Sequence, residues 1–252
     1  MRGMQNKTHS KAHVAEMFDK ISATYDTLNH TLSFGLDFYW RNVVAQFTGP
    51  TTKKILDCAT GTGDQLLALA KKSGQETLFF GIDPAFSMLE IAKQKLSSSP
   101  FADRTHFSIG KADALPFPSQ YFDLITMSFG IRNVENLALT LQELKRVLSP
   151  SGHLVILEFS LPKISFIRFF HLLYLRYLVP IIGQIIAKDP FAYRYLADTI
   201  EEFPYGEKFC HLVRESGFAT CTVRPLSFGI TSVYVARKEA ELGHLQKDRP
   251  VP

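Results

Sequence analysis

Short apolar runs alternate with amphipathic segments over residues 53–159. The apolar runs have the length of buried strands, and the leucines and alanines between them recur at helical spacing. We predict strands at 53–59, 77–82, 106–109, 122–128 and 153–159, with helices at 62–72, 87–96 and 137–148. Because strands that alternate with helices of this length form βαβ units, the pattern predicts an α/β fold with a mostly parallel, doubly wound sheet.

The pattern changes in the C-terminal third of the chain. An apolar and aromatic stretch over 164–187 contains Pro180 and Gly183, so we expect a broken helix there rather than a continuous one. Residues 163–204 are therefore predicted to be a helical insertion before the last strands. After it we predict a helix at 205–216 and two strands near 220–225 and 227–237.

Composition and charge exclude several classes of protein. The 252 residues are 46% hydrophobic and 21% charged, as in soluble globular proteins, and the net charge of +4 is too small to predict a nucleic-acid partner. Three cysteines without CxxC spacing and scattered histidines predict neither a disulfide framework nor a metal site. The first thirty residues lack the apolar core of a signal peptide, so we expect a cytoplasmic protein.

The stretch over 164–187 is the strongest candidate for contact with a membrane. Its longest uncharged run, 177–187, is well short of the about 20 residues that a spanning helix needs. We therefore do not expect this stretch to span a membrane. Peripheral contact with the inner face of the membrane, or contact with a lipophilic ligand, stays open. The alternative is that the aromatic stripe packs onto the sheet as an ordinary core helix.

The segment DCATGTGD, residues 57–64, joins the first predicted strand to a helix. Its glycines let the backbone turn sharply and approach a ligand, and the helix N-terminus offers free N–H groups. Asp83 ends the next strand, where a ribose diol would lie in a doubly wound sheet. The alternatives are a tight turn with no ligand and, for Asp83, a helix N-cap. Since the third glycine of GxGxxG is missing, a dinucleotide such as NAD is disfavoured.

These motifs, taken with others along the chain, resemble class I S-adenosylmethionine-dependent methyltransferases. More narrowly, they resemble the menaquinone/ubiquinone biosynthesis C-methyltransferase family (UbiE/MenG). The matching segments are DxxxGTGD, GIDP, residues 111–134, residues 146–162 and FDKISATYDTLNHTLSFGLDFYWR at 18–41, with a weaker match at 193–204. The resemblance implies a Rossmann-like methyltransferase fold at 46–238 and an N-terminal helical cap at 1–45. Residues 239–252 are polar and end in proline, so we predict a flexible tail there.

The resemblance also implies which residues bind S-adenosylmethionine. The expected cofactor-binding residues are Asp57, Gly61, Thr62, Gly63, Asp83, Lys111, Ala112 and Ser128. Among them, Thr62 is expected to line the methionine part of the cofactor, and Asp83 to accept hydrogen bonds from the ribose hydroxyls. Ser128 is expected to lie under the reacting sulfonium. Many relatives have aspartate or asparagine at the position of Lys111. Lysine offers no hydrogen-bond acceptor to the adenine amino group. The backbone of Ala112, or the aspartate after it, is expected to make that contact instead.

The implied reaction is C-methylation of a demethylated isoprenoid quinol, demethylmenaquinol, in menaquinone biosynthesis. Arg132 is the expected stabiliser of the quinol phenolate, Asn133 its positioning partner, and Tyr25 a third catalytic residue that completes the site. For each of them, a helix cap or ordinary packing is the alternative. The aromatic residues of 166–175 are expected to contact the prenyl tail.

Several other functions stay open at this stage. The acceptor could be a ubiquinone precursor or another lipophilic small molecule, since the resemblance covers both quinone pathways. From different classes, a catalytically silent cofactor-binding module and a nicotinamide-dependent oxidoreductase are the alternatives. Nucleic-acid methylation is disfavoured because the Asn/Asp-Pro-Pro-aromatic and Pro-Cys motifs are missing. The oligomeric state does not follow from the sequence.

Overall fold

Seven strands form one sheet in the computed structural model, which describes residues 14–187 and 190–238, with side chains given outside 185–194. The strands are β1 Lys54–Cys58, β2 Leu78–Asp83, β3 Thr105–Ile109, β4 Phe122–Ser128, β5 Leu148–Phe159, β6 Thr220–Leu226 and β7 Thr231–Arg237. Their order is β3-β2-β1-β4-β5-β7-β6. The first five pair in parallel, and β7 runs antiparallel between β5 and β6. The predicted doubly wound, mostly parallel architecture is confirmed.

Helices cover both faces of this sheet and its carboxyl edge. They are α1 Val14–Leu32, α2 Leu36–Ala45, α3 Asp64–Ala70, α4 Phe86–Ser97, α5 Leu137–Val147, α6 Ser165–Leu173, α7 Val179–Ala187, α8 Pro190–Glu202 and α9 Glu207–Glu215. The helices predicted between the strands of the parallel sheet, and the helix near 205–216, are therefore present. The tail predicted at 239–252 lies outside the described residues.

Alternate residues of the central strands enter two different cores. Leu56 of β1 and Ile125 of β4 pack on the side of α5 and α9, whereas their neighbours Ile55 and Leu124 pack on the side of α2 and α3. Both faces of a doubly wound sheet are covered, so both sets of side chains must be apolar. This explains why the strands appear in the sequence as continuous apolar runs without polar alternation.

The N-terminal helices and the insertion share a third core. Met17 and Leu28 of α1 pack with Leu175, Val179 of α7 and Ile200 of α8. The same helices line a cavity together with residues at the carboxyl ends of β4 and β5. The insertion is therefore positioned by α1 rather than by the sheet alone, and the two together cover the edge where the functional loops lie.

The predicted break in the insertion is wrong. Residues 174–178 form a π turn between α6 and α7, and the helix continues through Pro180 and Gly183. Proline cannot donate a backbone hydrogen bond and its ring clashes with the preceding turn, but a π turn is wider than an α turn. We attribute the continuity to this wide turn directly before Pro180. Over Ser165–Gln184 the helix is long and apolar enough to cross a membrane by length and composition, and 17% of an 18-residue stretch of it is buried.

The start of β5 also differs from the prediction. The strand begins at Leu148 rather than at the predicted residue 153, so the turn-forming residues Ser149, Pro150, Ser151 and Gly152 lie inside it. Leu148 pairs with Phe122 and His153 with Leu124, so the register shifts between these pairs. The bulge absorbs the turn-forming residues without ending the strand.

Candidate active site

The glycine turn after β1 is shaped by left-handed backbone and close helix packing. Gly61 and Gly63 have φ values of 55° and 83°, which favour glycine. A Cβ on Gly63 would lie 3.1 Å from the Ala92 Cβ on α4, whereas one on Gly61 would meet nothing within 4 Å. Gly63 thus lets α4 approach the turn, and Gly61 faces open space that a ligand can fill.

Asp57 holds this turn from beneath. Its carboxylate accepts hydrogen bonds from Thr60 Oγ1 at 2.7 Å and from Thr126 Oγ1 of β4 at 2.6 Å. Burial raises the pKa of Asp57 to about 6 against the effect of these two bonds. Asp57 is absent from the walls of the two cavities described below. This predicted cofactor residue therefore lies where it can support the turn but not touch a ligand in either cavity.

Asp83, at the end of β2, faces the same turn and retains capacity to bind a ligand. Its Oδ2 accepts from the Gly61 N–H and its Oδ1 from the Ala85 N–H, both at 2.9 Å. Because each carboxylate oxygen has two lone pairs, one on each oxygen is left for hydroxyl donors. Burial is the main cause that raises the pKa of Asp83 to about 6. Asp83 thus holds the turn before α4 and also lines the adjacent cavity.

A cavity of about 900 Å³ opens beside the glycine turn at the carboxyl ends of β1, β2 and β4. The predicted site residues in its wall are Tyr25, Gly61, Asp83, Lys111, Ala112, Ser128 and Asn133. Asp57, Thr62, Gly63 and Arg132 are not in its wall. The structure therefore brings together residues from α1, three strand ends and the loops after β3 and β4.

Lys111 spans the mouth of this first cavity. Its Nζ lies 2.7 Å from Glu135 Oε1, and the side chain is 55% exposed. The hydrogen bond and charge of Glu135 raise the pKa of Lys111. This pair joins the loop after β3 to the loop after β4, so Lys111 is placed to hold the rim in position.

Thr62 and Gly63 lie on the side of the turn that faces α1 and α4. The Thr62 hydroxyl donates to Asp26 Oδ1 of α1 at 2.5 Å. Lys95 of α4 donates to Asp26 Oδ2 at 2.8 Å and to Asp64 Oδ1 at 2.5 Å. Through these contacts the N-terminal helix is anchored to the glycine turn.

A further charged group, missed by the sequence analysis, adjoins this network. His30, Asp37 and Asp64 place potential metal ligand atoms within 4.8 Å of one another. The three residues come from α1, α2 and α3, so no local spacing indicates them. The Lys95 ammonium already supplies positive charge to Asp64 at 2.5 Å, and His30 Nδ1 lies 2.7 Å from Asp37. We interpret the group as ion-pairing between the cap and the turn.

A second cavity of about 940 Å³ adjoins the first and is lined mostly by apolar side chains of the third core. Phe18, Tyr25 and Phe129 belong to the walls of both cavities. Arg132 lines only the second, although the next residue, Asn133, lines only the first. A ligand in each cavity would therefore meet the other beside Tyr25 and Phe129.

Arg132 is held by a buried carboxylate that the sequence analysis missed. Arg132 Nη1 donates to Glu158 Oε1 and to the Phe129 carbonyl, both at 2.7 Å. Glu158 Oε1 also accepts from the Phe159 N–H at 2.8 Å. Glu158 is fully buried near the end of β5. Its signal in the sequence was a single acid near the end of an apolar strand, as Asp83 is for β2.

Tyr25 stands between charges of both signs. Burial raises the pKa of its phenol, and the nearby Arg41 and Arg132 lower it, with a further lowering from a hydrogen bond with Asn29. Because the net shift is upward from 10.0, the phenol is neutral at pH 7. The Arg41 guanidinium, also missed from the sequence, lies 5.4 Å from the centre of the Phe129 ring.

The loop after β4 is pressed against the glycine turn. Phe129 has a φ of 59°, a left-handed value that is uncommon for a residue with a side chain. A Cβ on Gly130 would lie 2.5 Å from the Ala59 Cβ, so only glycine fits. The left-handed backbone at Phe129 and the close contact at Gly130 therefore place Phe129, which lines both cavities, next to the glycine turn.

Comparisons with known proteins agree with this geometry. The profile of the ubiE/COQ5 methyltransferase family matches residues 4–238. The chain is 37% identical to the demethylmenaquinone methyltransferase of Chlorobaculum parvum over 237 residues, covering 92% of this chain and 95% of the relative. It is 40% identical to the ubiquinone/menaquinone biosynthesis C-methyltransferase UbiE of Geotalea daltonii over 228 residues, covering 89% and 96%.

A solved structure supports the fold independently. An S-adenosylmethionine-dependent methyltransferase of Thermotoga maritima, described as a possible histamine N-methyltransferase, superposes with a TM-score of 0.63 at 18% identity, over 90% of this chain and all of that one. The predicted class of enzyme, a methyltransferase that uses S-adenosylmethionine, is confirmed together with the Rossmann-like fold. The chain belongs to the ubiE/COQ5 methyltransferase family.

Proposed function

We propose that this chain transfers a methyl group from S-adenosylmethionine to a ring carbon of a demethylated isoprenoid quinol, converting demethylmenaquinol to menaquinol. One observation carries the proposal: a cavity lined by the glycine turn and Asp83 meets a second, apolar cavity at Tyr25 and Phe129. The names of the relatives from Chlorobaculum and Geotalea support the same class of substrate.

The first cavity fits the cofactor. The free lone pairs of Asp83 suit the two ribose hydroxyls, and Gly61 leaves space for the nucleoside beside the turn. Lys111, Ala112 and Ser128 contribute the rest of the proposed contacts from the wall. When bound, S-adenosylmethionine supplies an electrophilic methyl group on a sulfonium sulfur. Asp57, Thr62 and Gly63 are then indirect contributors, because they hold the turn and its contact with the N-terminal helix α1 in place.

The second cavity fits the electron-rich ring. A quinol attacks through carbon when one of its hydroxyls is ionised, and a guanidinium that donates hydrogen bonds in a low-dielectric cavity stabilises that oxyanion. Arg132 is placed for this role, and Glu158 fixes its orientation. Arginine stays protonated, so it stabilises the oxyanion and does not take the proton. Asn133 of the first cavity accepts a hydrogen bond at Oδ1 from the hydroxyl of Tyr195, a residue of the second cavity, at 3.1 Å, and this bond holds it between the two.

The prenyl tail is proposed to follow the apolar surface from this cavity to a bilayer. α6 and the turn after it expose large apolar side chains, among them Phe166 at 72% and Tyr177 at 66%. Between residues 159 and 188 the sequence has four basic residues and no acidic one. Of these, Arg176 is paired with Glu201, whereas Arg168 is exposed on α6 and Lys163 is exposed directly before it. Exposed basic and aromatic side chains of this kind bind the interface of anionic membranes. The mode is peripheral, because Leu175 and Val179 pack in the third core with α1, and spanning would remove them from it.

A vesicle assay tests the membrane contact. We expect co-sedimentation with phosphatidylglycerol vesicles to exceed that with phosphatidylcholine, and the Phe166→Ser/Phe169→Ser double variant to lose it. The matched control is Ile109→Ser/Leu139→Ser, which removes apolar side chains that are 60% and 49% exposed on β3 and α5. Equal sedimentation of the two double variants would contradict a docking face on α6.

The reaction is tested by methyl transfer to lipid extracts. Protein and labelled S-adenosylmethionine are incubated under reducing conditions with quinones extracted from a strain that lacks this methyltransferase. We expect mass spectrometry to find the label in menaquinol. Label in a ubiquinone precursor would favour the alternative pathway, which the name of the Geotalea relative also covers. Binding of S-adenosylhomocysteine without any transfer would favour a silent cofactor-binding module.

A further inference from the structure

Three buried nitrogen atoms of residues that line the second cavity lack a hydrogen-bond partner. They are Arg41 Nε, Arg132 Nε and His171 Nε2. Across the part of the chain that the structure describes, seven buried side-chain polar atoms are in this state, so three of the seven belong to one cavity wall. Buried polar groups in proteins are normally satisfied, and this concentration indicates a ligand that completes them.

The other polar groups of this wall are already engaged with the protein. The Tyr174 hydroxyl donates to the Leu32 carbonyl at 2.6 Å, and Trp40 Nε1 donates to Ser227 Oγ at 2.8 Å. The Asp37 carboxylate, the strongest acceptor in the wall, accepts from Ser33 Oγ at 2.6 Å and pairs with His30. Arg41 Nε lies 3.9 Å from Asp37 Oδ2, an ion-pair contact that is longer than a hydrogen bond. The three nitrogens therefore remain buried groups to which a polar ligand can hydrogen-bond.

The three nitrogens differ in what they can offer. Guanidinium groups only donate hydrogen bonds, whereas a neutral imidazole can also accept one. His171 is 9% exposed, and burial lowers its pKa to about 4, so the ring is neutral at pH 7. Of the three residues, only His171 can therefore accept a hydrogen bond at the unpartnered nitrogen, in the neutral tautomer that carries its proton on Nδ1, whereas Arg41 and Arg132 only donate.

We propose that His171 distinguishes the reduced from the oxidised form of the substrate, its Nε2 accepting a hydrogen bond from the quinol hydroxyl that Arg132 does not bind. This inference rests on the proposed function. A quinone has two carbonyl oxygens and no hydroxyl, so it leaves the imidazole lone pair unsatisfied in a buried wall. Only the reduced ring is a carbon nucleophile. The discrimination therefore keeps an unreactive molecule of the same shape out of the site.

The test measures binding of both redox forms of one probe. The probe is 2-geranyl-1,4-naphthoquinone and its dithionite-reduced quinol, titrated anaerobically in the presence of S-adenosylhomocysteine so that no turnover occurs. We expect the wild-type protein to bind the quinol about tenfold more tightly than the quinone, the effect of one buried hydrogen bond. His171→Phe should bring the ratio close to one by weakening quinol binding alone. His171→Gln, which keeps an acceptor near Nε2, should restore part of the preference.

Tyr174→Phe is the matched control, because it changes the same wall but removes a hydroxyl that already has a partner. We expect it to keep the wild-type ratio. An unchanged ratio in His171→Phe, or equal weakening of both redox forms, would overturn the inference. Failure of the wild-type protein to methylate the quinol at all would instead count against the proposed function.

Discussion

Arg132 and Glu158 form a buried ion pair, with Arg132 Nη1 2.7 Å from Glu158 Oε1 and both side chains shielded from solvent. The pair joins the loop after β4 to β5 at the wall of the second cavity. Removing one member of such a pair leaves an unpaired charge in the interior. The Arg132 side chain therefore contributes both to stability and to the proposed chemistry, and these contributions can be separated.

Arg132→Gln should slow methyl transfer without affecting the cofactor. We expect kcat to fall about 10²- to 10³-fold, as for loss of one oxyanion donor. The dissociation constant of S-adenosylhomocysteine, measured by calorimetry, should change less than twofold, because Arg132 is outside the first cavity. Unfolding should become easier by about 3–5 kcal/mol, since Glu158 is left unpaired.

The Arg132→Gln/Glu158→Gln double variant controls for this destabilisation. The double variant removes both charges. We therefore expect its melting temperature to return most of the way to that of the wild-type protein, while kcat stays low. Recovery of turnover together with stability would show that Arg132 acts only through folding. Equal loss of cofactor affinity in both variants would also contradict the assigned role.

Asp83→Asn should weaken cofactor binding and leave the fold intact. An amide supplies one acceptor oxygen where the carboxylate supplies two, and hydrogen bonds to a charged group are the stronger ones. We expect the dissociation constant of S-adenosylhomocysteine to rise about 10- to 100-fold. Asp57→Asn is the control, because Asp57 lies outside both cavity walls. A comparable loss of cofactor affinity in Asp57→Asn would show that Asp83→Asn acts by disturbing the turn and not by removing a contact with the ligand.

Cofactor affinity should depend on pH through Asp83. Burial raises the pKa of Asp83 to about 6, so the acid is protonated below that value in the free protein. Ribose hydroxyls donate to the ionised form, so binding lowers this pKa and affinity falls as the pH drops below about 6. We expect the affinity for S-adenosylhomocysteine, measured by calorimetry, to rise between pH 5 and 7 and to stay constant above pH 7.

The same titration on two variants assigns the group. Asp83→Asn should flatten the profile, whereas Asp57→Asn should keep it, although burial raises the pKa of Asp57 to a similar value. A profile that survives in Asp83→Asn would assign the titration to another residue.

Gly130→Ala should destabilise the protein through the contact with the glycine turn. The new Cβ would lie 2.5 Å from the Ala59 Cβ, and relief requires movement of one of the two loops. We expect a loss of about 1–3 kcal/mol in thermal or urea unfolding, together with weaker cofactor binding. In the control Gly49→Ala the nearest atom is 3.6 Å away, an ordinary contact. Equal stability of the two variants would show that the loops separate at little cost.

Much of this architecture follows from local sequence pattern. Strand β4 is predicted to the residue at 122–128, and the turn at 57–64 and Asp83 are located correctly at strand ends. These features depend on apolar runs and on glycine conformation, which neighbouring residues decide. The order of the strands then places the turn and Asp83 at one edge, because parallel strands share their carboxyl end.

Other features depended on the tertiary structure. Arg132 and Asn133 are adjacent in sequence, yet their side chains enter different cavities because a short helical turn at Ile131–Asn133 points them apart. Glu158 pairs with a residue 26 positions away, and His171 has a buried Nε2 without a hydrogen-bond partner in a cavity that residues of α1 and α8 also line. The sequence by itself determined the sheet, its turns and the class of chemistry. Side-chain direction and contacts between distant segments decided which groups line each cavity, since neither is encoded in local spacing.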